Sequence, residues 1–344
     1  MSKRVERNSS FECLRLICIF GIVCMHVFGT YKEDVVGTNL IFGVFINTLF
    51  NAGVSCFALI SGSFGVEFSI RKITSLEFRT LFYSLASFVL LIICGTEHYS
   101  MGNLLEAMTP IYSRKYWYIS AYMMLILFAD FVNETYELKS RSQKDKLLIL
   151  LLIVFSCIPT FINKDIMGDG GKGFFNILLM YFLGRYIREY KICKEMKWRK
   201  IAGWTSFSFG VGMALNFFTT FIKGNVGVSA PFSRDCSLTI ILFSCCIFLL
   251  FSRVRFHSAF INNIARHTLT IYLFEGAIRK VLLEKYHLQT YISSCYLPLL
   301  VVTESILICV ICIFVGELYE LSFGRVENWV SVRLENLNSK CVKE

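Results

Sequence analysis

Ten apolar segments follow one another along this chain of 344 residues, and they constrain its fold more than any other feature. Most are long enough for a helix that crosses about 30 Å of hydrocarbon, which takes about 20 apolar residues. A mean hydropathy of +0.57 is too apolar for a soluble protein of this length. The sequence therefore predicts an all-α polytopic membrane protein with about ten transmembrane helices in one bundle. The segments are residues 11–29, 40–65, 78–95, 116–133, 147–162, 174–187, 201–221, 236–252, 268–283 and 296–320.

Basic residues indicate the orientation of these helices. With ten crossings, both termini lie on one side, and that side carries 24 of the 35 Lys and Arg residues, against ten on the other. Loops rich in Lys and Arg stay in the cytoplasm. We therefore expect cytoplasmic termini, a cytoplasmic loop at residues 185–200 and an external loop at residues 97–114. The expected localisation is the cell membrane (plasma or inner membrane), as a multi-pass protein.

The same pattern limits the domain organisation and the partners. No separate soluble domain is evident, so we expect one membrane-embedded domain over residues 1–344, with a core at about 11–320 and a cytoplasmic tail at 321–344. The net charge of +10 is spread over short loops between apolar segments, which predicts contact with the lipid bilayer and no nucleic-acid partner. The fourteen Cys residues lie mostly inside apolar segments and show no metal-ligand spacing, so no metal is expected.

Arg15 and His26 are the most informative polar residues, because both lie inside the first apolar segment. Burial of an ionisable side chain in hydrocarbon costs several kcal/mol of free energy. An ionisable residue inside a membrane segment is therefore a candidate functional residue. Their spacing of eleven residues puts them on one helix face, about 16 Å apart along the axis. Glu12, three residues before Arg15, can neutralise the guanidinium. Arg15 can bind an anion, pair structurally with Glu12, or reach to the interface.

Neutral imidazole is a natural general base near pH 7, so His26 can take a proton from a hydroxyl group. It can instead be a nucleophile that carries an acyl group. Either role makes His26 the candidate catalytic residue.

Three further groups are weaker candidates. Ser61 and Gly62 end the second segment with small residues that allow close approach of a ligand or a backbone. Glu275 and Arg279 have helical i, i+4 spacing. They either form a structural ion pair, in which each charge offsets the cost of burying the other, or line an acceptor cavity. Trp117 and Tyr118 belong either to an interfacial aromatic belt or to a surface on which sugar rings stack.

The chain resembles the acyltransferase 3 family of integral membrane acyltransferases over roughly residues 11–320. That family carries Arg or Lys, ten residues and then His in its first helix, preceded by an acidic residue, which matches Arg15, His26 and Glu12. Its Ser-Gly-aromatic signature corresponds loosely to residues 61–64. The run at 115–122 and Gly170-Gly171 resemble the branch found in capsule and surface-polysaccharide gene clusters. One departure is Glu275. That branch often has His at this position, three residues after the tyrosine that corresponds to Tyr272.

The resemblance implies an O-acyltransferase that moves an acyl group, most often acetyl, from cytoplasmic acyl-CoA to a carbohydrate or lipid-linked glycan hydroxyl. Acetyl-CoA is then a donor substrate, and no permanently bound cofactor is implied. His26 and Glu12 are the expected catalytic group. The CoA-binding candidates are Arg15, Ser61, Gly62, Arg71 and Lys72, and the acceptor-binding candidates are Trp117, Tyr118, Tyr272, Glu275 and Arg279.

Two alternatives of other classes stay open. A transporter or flippase for a lipid-linked glycan or an acylated small molecule also buries charges along a path, although it often has broken helices and paired repeats. A membrane subunit without chemistry that binds a partner is the second alternative. A homo-oligomer is compatible with either.

Overall fold

The computed structural model describes residues 8–32, 35–224, 227–286 and 291–341. Within these ranges the secondary structure is helical, and no strand occurs. The α-helices are α1 (Ser9–Gly29), α2 (Thr38–Phe50), α3 (Ala52–Phe64), α4 (Ile70–Ile93), α5 (Met101–Met108), α6 (Trp117–Leu127), α7 (Ala129–Glu137), α8 (Arg141–Leu152), α9 (Ile158–Ile162), α10 (Phe174–Glu189), α11 (Ile192–Glu195), α12 (Trp198–Ile222), α13 (Leu238–Arg253), α14 (Ala259–Ala265), α15 (Thr268–Tyr286), α16 (Leu297–Ser322) and α17 (Gly324–Cys341). A π-helical turn joins α8 to α9 at Ile153–Cys157, and a short 3-10 turn covers Pro231–Ser233.

Seven of the expected membrane crossings meet the length and composition of a transmembrane helix among the described residues. They are 21–27 residues long, which at about 1.5 Å per residue exceeds the hydrocarbon thickness. The other three predicted segments are also helical. However, α6 and α10 are shorter, and α15 carries several charged residues. Seven spans are therefore supported, while ten crossings and cytoplasmic termini stay predictions. The spans are Ser9–Gly29, Thr38–Phe64, Ile70–Ile93, Arg141–Ile162, Trp198–Ile222, Pro231–Arg253 and Leu297–Ser322.

The chain forms two compact units. The first consists of Met1–Gly65, Arg141–Thr268 and Tyr291–Ser305, and the second consists of Val66–Ser140, Leu269–Thr290 and Ile306–Glu344.

Close helix packing organises the first unit, and small residues permit it. A Cβ atom on Gly62 of α3 would lie 2.0 Å from the carbonyl oxygen of Tyr181 in α10, and one on Gly184 would lie 2.2 Å from that of Leu59. Gly53 similarly allows α3 to approach α1, since its Cβ position lies 3.2 Å from the Cys18 carbonyl oxygen. These glycines let the helix backbones approach to contact distance.

Several hydrogen bonds show which helix ends lie together in the first unit. The amide of Ser9, at the start of α1, donates to the carbonyl of Phe256, beyond the end of α13. Arg188, at the end of α10, donates to the carbonyl of Ser63, at the end of α3. The loop after α1 meets the loop after α12, because the Val228 amide donates to the Lys32 carbonyl at 3.0 Å. The described residues of these two loops, 30–32, 35–37, 223–224 and 227–237, are therefore at the opposite end of the unit from Ser9.

In the second unit, α4 packs against the C-terminal helix α17. The Tyr83 ring of α4 lies against Tyr319 of α16 with centroids 5.3 Å apart, and the Thr270 hydroxyl donates to the Tyr83 hydroxyl at 3.1 Å. Residues 321–344 were predicted to be a cytoplasmic tail, and this stays a prediction. The described part of this segment contains α17, which packs on α4 through a polar group described below.

Candidate functional site

Glu12 and Arg15 form an ion pair in the first two turns of α1. The Asn8 side chain accepts from the Ser10 amide and caps the helix. Glu12 is buried, and its Oε1 lies 2.9 Å from Nη1 of the half-buried Arg15. A carboxylate in the first turn also interacts favourably with the positive end of the helix dipole. The pairing expected from the i, i+3 spacing is therefore present, and it orients the guanidinium.

His26 lies in the last turn of α1, where its side chain is exposed. It is about 16 Å from Arg15 along the axis, as the spacing predicts. The two residues between them on the same face, Ile19 and Ile22, are buried, with 2% and 4% of their surface exposed. The Ile22 side chain reaches to 3.3 Å from the Cβ position of Gly53. The stripe that joins Arg15 to His26 is thus covered by protein at its centre.

Ser61 and Gly62 lie near the end of α3, where Gly62 has a structural use. A Cβ atom on Gly62 would collide with the Tyr181 carbonyl of α10, so helix packing is sufficient to explain a glycine at this position. Ser61 is half-buried, and its carbonyl accepts from the Gly65 amide at 2.9 Å. Arg188 was not anticipated from the sequence. Its guanidinium donates to the Ser63 carbonyl and lies 5.6 Å from the centroid of the Phe64 ring.

Arg71 and Lys72 lie in the first turn of α4, and both are exposed. The Nη2 atom of Arg71 donates to Oδ1 of Asn328 in α17 at 2.7 Å. Lys72 contributes its backbone amide to the cap formed by the Ser69 hydroxyl. Their exposed cationic groups remain compatible with the predicted contact to CoA phosphates.

The Arg79 guanidinium forms two ion pairs in the second unit. It lies 2.8 Å from Glu320 and 2.9 Å from Glu327, and Glu327 is buried. Glu327 also accepts from the Tyr319 hydroxyl at 2.8 Å and from the Ser75 hydroxyl. This polar group attaches α17 to α4, and it joins residues almost 250 positions apart in the sequence.

Trp117, Tyr118 and Tyr272, which were predicted to bind the acceptor, lie together in the second unit. The Tyr118 ring is 6.0 Å from that of Trp117 and 6.1 Å from that of Tyr272, and it stacks on Tyr122 at 5.9 Å. The Tyr116 hydroxyl donates to the Leu273 carbonyl at 2.9 Å, which ties α15 to the start of α6. All three predicted residues are half-buried, so part of each side chain remains accessible.

Lys115 stands just before these aromatic residues. Its ammonium group donates to the Ser84 hydroxyl at 3.2 Å and lies 5.9 Å from the centroid of Tyr116. Burial lowers the pKa of Lys115 below its ordinary value, because the charged form loses hydration.

Glu275 and Arg279 continue the same region of α15. Glu275 is buried, and its Oε2 lies 3.5 Å from Nε of the half-buried Arg279. Tyr272 precedes Glu275 by three residues, so their side chains leave α15 on adjacent positions of one face. The candidate acceptor residues all belong to the second unit, whereas Glu12, Arg15, His26, Ser61 and Gly62 belong to the first unit.

Among the described residues, no group of three His, Cys, Asp or Glu side chains is arranged to hold a metal ion. The cysteines whose side chains are described are free thiols.

The family model described as an acyltransferase domain, that of the acyltransferase 3 family, matches residues 8–317. No curated protein and no solved structure matches the chain. The match begins at the cap of α1 and ends within α16, so it includes every candidate residue described above.

Proposed function

Because the chain belongs to the acyltransferase 3 family, we propose that it moves an acyl group from cytoplasmic acyl-CoA to a carbohydrate hydroxyl. The family match over nearly the whole chain carries the proposal, and the residues of α1 give it a chemical form. We further propose acetyl as the acyl group, a surface or lipid-linked glycan as the acceptor, and the cell membrane as the location.

The donor would be held through its phosphates. CoA is strongly anionic, and a guanidinium offers planar N–H pairs that match phosphate oxygens. The ion pair of Arg15 with Glu12 fixes the direction of the guanidinium before a ligand arrives. Arg71 and Lys72 present exposed cations, and Ser61 adds a hydroxyl, so all three are further candidates for the donor.

His26 would carry the chemistry. The neutral imidazole takes the proton from the acceptor hydroxyl while the oxygen attacks the thioester carbonyl. The tetrahedral intermediate then collapses with cleavage of the C–S bond, and the imidazolium returns the proton to the departing CoA thiolate. The products are an O-acyl ester and CoA, and the reaction requires no metal or redox partner. General-base catalysis of this kind contributes about 10²–10⁴-fold.

A two-step route would use the same residue differently. The neutral imidazole of His26 attacks the thioester carbonyl, the C–S bond breaks, and CoA leaves as the thiol with the imidazole proton. The acceptor hydroxyl then attacks the acyl-imidazole, the acyl C–N bond breaks, and the hydroxyl proton returns to the imidazole.

The acceptor would meet the aromatic surface of the second unit. Sugar rings present apolar C–H faces that pack on Trp117, Tyr118 and Tyr272, whose polar tips orient the ring. Glu275 can accept a hydrogen bond from a sugar hydroxyl, and Arg279 compensates its charge.

The transporter alternative lacks comparable support. Such proteins often unwind a helix near the middle of the bilayer. The span Thr38–Phe64 is divided at Asn51, but this residue keeps right-handed helical dihedrals and its amide still donates to the Asn47 carbonyl. The π-helical turn at Ile153–Cys157 also keeps the backbone helical.

The decisive experiment compares purified wild type, His26→Gln and His257→Gln. His257 is exposed and lies outside the helices, so it controls for loss of an imidazole. Each protein receives acetyl-CoA or succinyl-CoA with a panel of neutral and acidic oligosaccharides, and free CoA and acylated product are both measured. We expect wild-type and His257→Gln protein to form equal amounts of CoA and ester, and His26→Gln to fall by about 10²-fold or more.

Wild-type turnover in His26→Gln would refute the role of His26 and leave the family membership intact. A folded wild type that acylates no acceptor, but moves a lipid-linked glycan across vesicles, would refute the transferase proposal.

A further inference from the structure

A large cavity opens at the end of the first unit that lies opposite the start of α1. Its volume is about 930 Å³, and its walls come from the loops after α1, α9 and α12. It extends inward to Asn47 and Asn51, at the junction of α2 and α3. None of the candidate residues named above lines it.

Cationic side chains dominate the charge of its described lining. Lys32, Lys172, Lys223 and Arg234 contribute four positive charges, and Asp169 and Asp235 contribute two carboxylates. The three lysines are exposed, whereas Asp235 is only 4% exposed. Asp169 is half-buried, and its carboxylate accepts from the Gly171 amide at 2.9 Å. The ammonium groups of the described lining are therefore more exposed than its carboxylates.

The wall that holds Arg234 is fixed by hydrogen bonds. Its Nε donates to the Pro231 carbonyl at 3.1 Å, and its Nη2 donates to the Pro159 carbonyl at 2.6 Å. Carbonyl oxygens orient a guanidinium but do not neutralise its charge. Arg234 thus presents a positioned positive charge beside the lysines.

The wall beneath Ser233 is a closed polar network. The Asn216 side chain donates to the hydroxyls of Thr48 and Ser233 at 3.1 and 2.6 Å, and it accepts from the Phe232 amide at 3.0 Å. All of the Asn216, Thr48 and Ser233 side chains are buried. Such a network holds the cavity wall in place before a ligand binds.

The deep end of the cavity offers hydrogen-bond acceptors. The Asn47 side-chain nitrogen donates to the Gly43 carbonyl, and that of Asn51 donates to the Asn47 carbonyl, each at 2.9 Å. Both carboxamides thereby use their nitrogens within the helix, which leaves their Oδ1 atoms as acceptors for hydroxyl groups. No aromatic ring belongs to the described lining, so stacking does not contribute to recognition here.

We propose that this cavity binds an acidic saccharide, with its carboxylate or phosphate at Lys32, Lys172, Lys223 and Arg234 and its hydroxyls toward Asn47 and Asn51. The inference rests on the proposed function only for the choice of a carbohydrate. The volume accommodates more than one sugar ring, and neither a lipid tail nor a neutral glycan would use the cations. The acceptor of the transfer reaction would then be an acidic glycan, and the saccharide held here would be a part of it other than the ring that packs on Trp117, Tyr118 and Tyr272.

Direct binding tests the proposal without any acyl donor. Purified wild-type protein in nanodiscs is titrated with oligogalacturonate, with the matching neutral galactose oligosaccharide, with galactose 6-phosphate and with inorganic phosphate. We expect oligogalacturonate or galactose 6-phosphate to bind more tightly than the neutral sugar, and the preference to shrink as the ionic strength rises. Tighter binding of oligogalacturonate would identify a carboxylate as the recognised acidic group, and tighter binding of galactose 6-phosphate would identify a phosphate.

The variants locate the binding. Lys32→Gln and Lys223→Gln remove exposed cations of the lining. Lys164→Gln is the matched control, because Lys164 is exposed in the loop after α9 and is not itself part of the lining. Each exposed ion pair is worth about a two- to five-fold change in affinity, so the double lysine variant should bind the acidic saccharide about 4- to 25-fold more weakly. Lys164→Gln should bind like the wild type.

Equal affinity for neutral and acidic saccharides would overturn the inference, as would inorganic phosphate that binds as tightly as the acidic sugars. An unchanged affinity in the double variant would also overturn it. Acidic binding that depends on the lysines, in a protein without transfer activity, would uphold the cavity and refute the proposed function. Transfer to neutral acceptors at a rate that neither lysine substitution changes would refute the role of the cavity and uphold the proposed function.

Discussion

Replacement of Gly62 by alanine distinguishes helix packing from donor binding. The resemblance assigns Gly62 to the CoA site, whereas the structure places its backbone against the Tyr181 carbonyl of α10. A Cβ atom there would lie 2.0 Å from that oxygen and 2.8 Å from its carbon, and real contacts essentially never fall below 3.0 Å. The two helices must therefore move apart by about 1 Å, because both partners are backbone atoms.

The size of the effect follows from a comparison with a second glycine. An added methyl group in a tightly packed interface costs about 1–3 kcal/mol. Alanine also favours a helix over glycine by about 1 kcal/mol, which partly conceals that cost. Gly203 in α12 has no atom within 4 Å of its Cβ position, so Gly203→Ala carries the propensity gain alone. The difference between the two variants isolates the packing cost at Gly62.

The assay is thermal unfolding of each variant in detergent, with acyl-CoA affinity measured on the same samples. We expect Gly62→Ala to unfold at a lower Tm than Gly203→Ala, by about 2–4 °C for each kcal/mol. Gly184→Ala should destabilise similarly, because its Cβ position lies 2.2 Å from the Leu59 carbonyl. The variant that carries both Gly62→Ala and Gly184→Ala should lose less stability than the sum of the two single losses, because the first methyl group already separates the helices. A Gly62→Ala protein with the Tm of Gly203→Ala, but weakened acyl-CoA binding, would refute this reasoning and support a ligand contact.

Three further predictions concern the donor site, the orientation and the C-terminal helix. Arg15→Ala should weaken acyl-CoA binding about 10- to 150-fold in a direct titration, while Arg15→Lys loses only part of it, and an unchanged affinity would make the residue structural. In a cysteine-depleted background, an impermeant thiol reagent should label Tyr112→Cys in intact cells and Lys194→Cys only after permeabilisation; the opposite pattern would invert the orientation. Glu327→Gln should lower the unfolding free energy by about 1–3 kcal/mol, because it weakens a charged contact to a partly buried guanidinium, whereas Glu335→Gln on the exposed face of α17 should have no measurable effect.

Local spacing predicted the contacts that lie within one helix. The Glu12–Arg15 pair and the proximity of Glu275 to Arg279 follow from i, i+3 and i, i+4 geometry, and the structure contains both. The three aromatic residues among the predicted acceptor residues also lie together, with the Tyr118 and Tyr272 rings 6.1 Å apart. That proximity came from family resemblance, because no local pattern joins positions more than 150 residues apart.

Long-range pairing explains what the sequence did not predict. Arg79 was visible as a basic residue, but its partners in α16 and α17 depend on how distant segments pack. The helix α17 is polar overall, so a search for apolar segments does not identify it. The cations of the cavity come from separate loops, and each one taken alone resembles an ordinary solvated lysine.

The first helix shows most clearly what a helical stripe can and cannot establish. Periodicity places Arg15 and His26 on one face, about 16 Å apart along the helix axis. It cannot show whether a neighbouring helix covers that face. Ile19 and Ile22 are buried there, and Gly53 brings α3 against Ile22. A pantetheine arm that joins the two sites must therefore pass beside this stripe or displace the α1–α3 contact. The cost of that displacement would then belong to donor binding and not to the chemical step at His26.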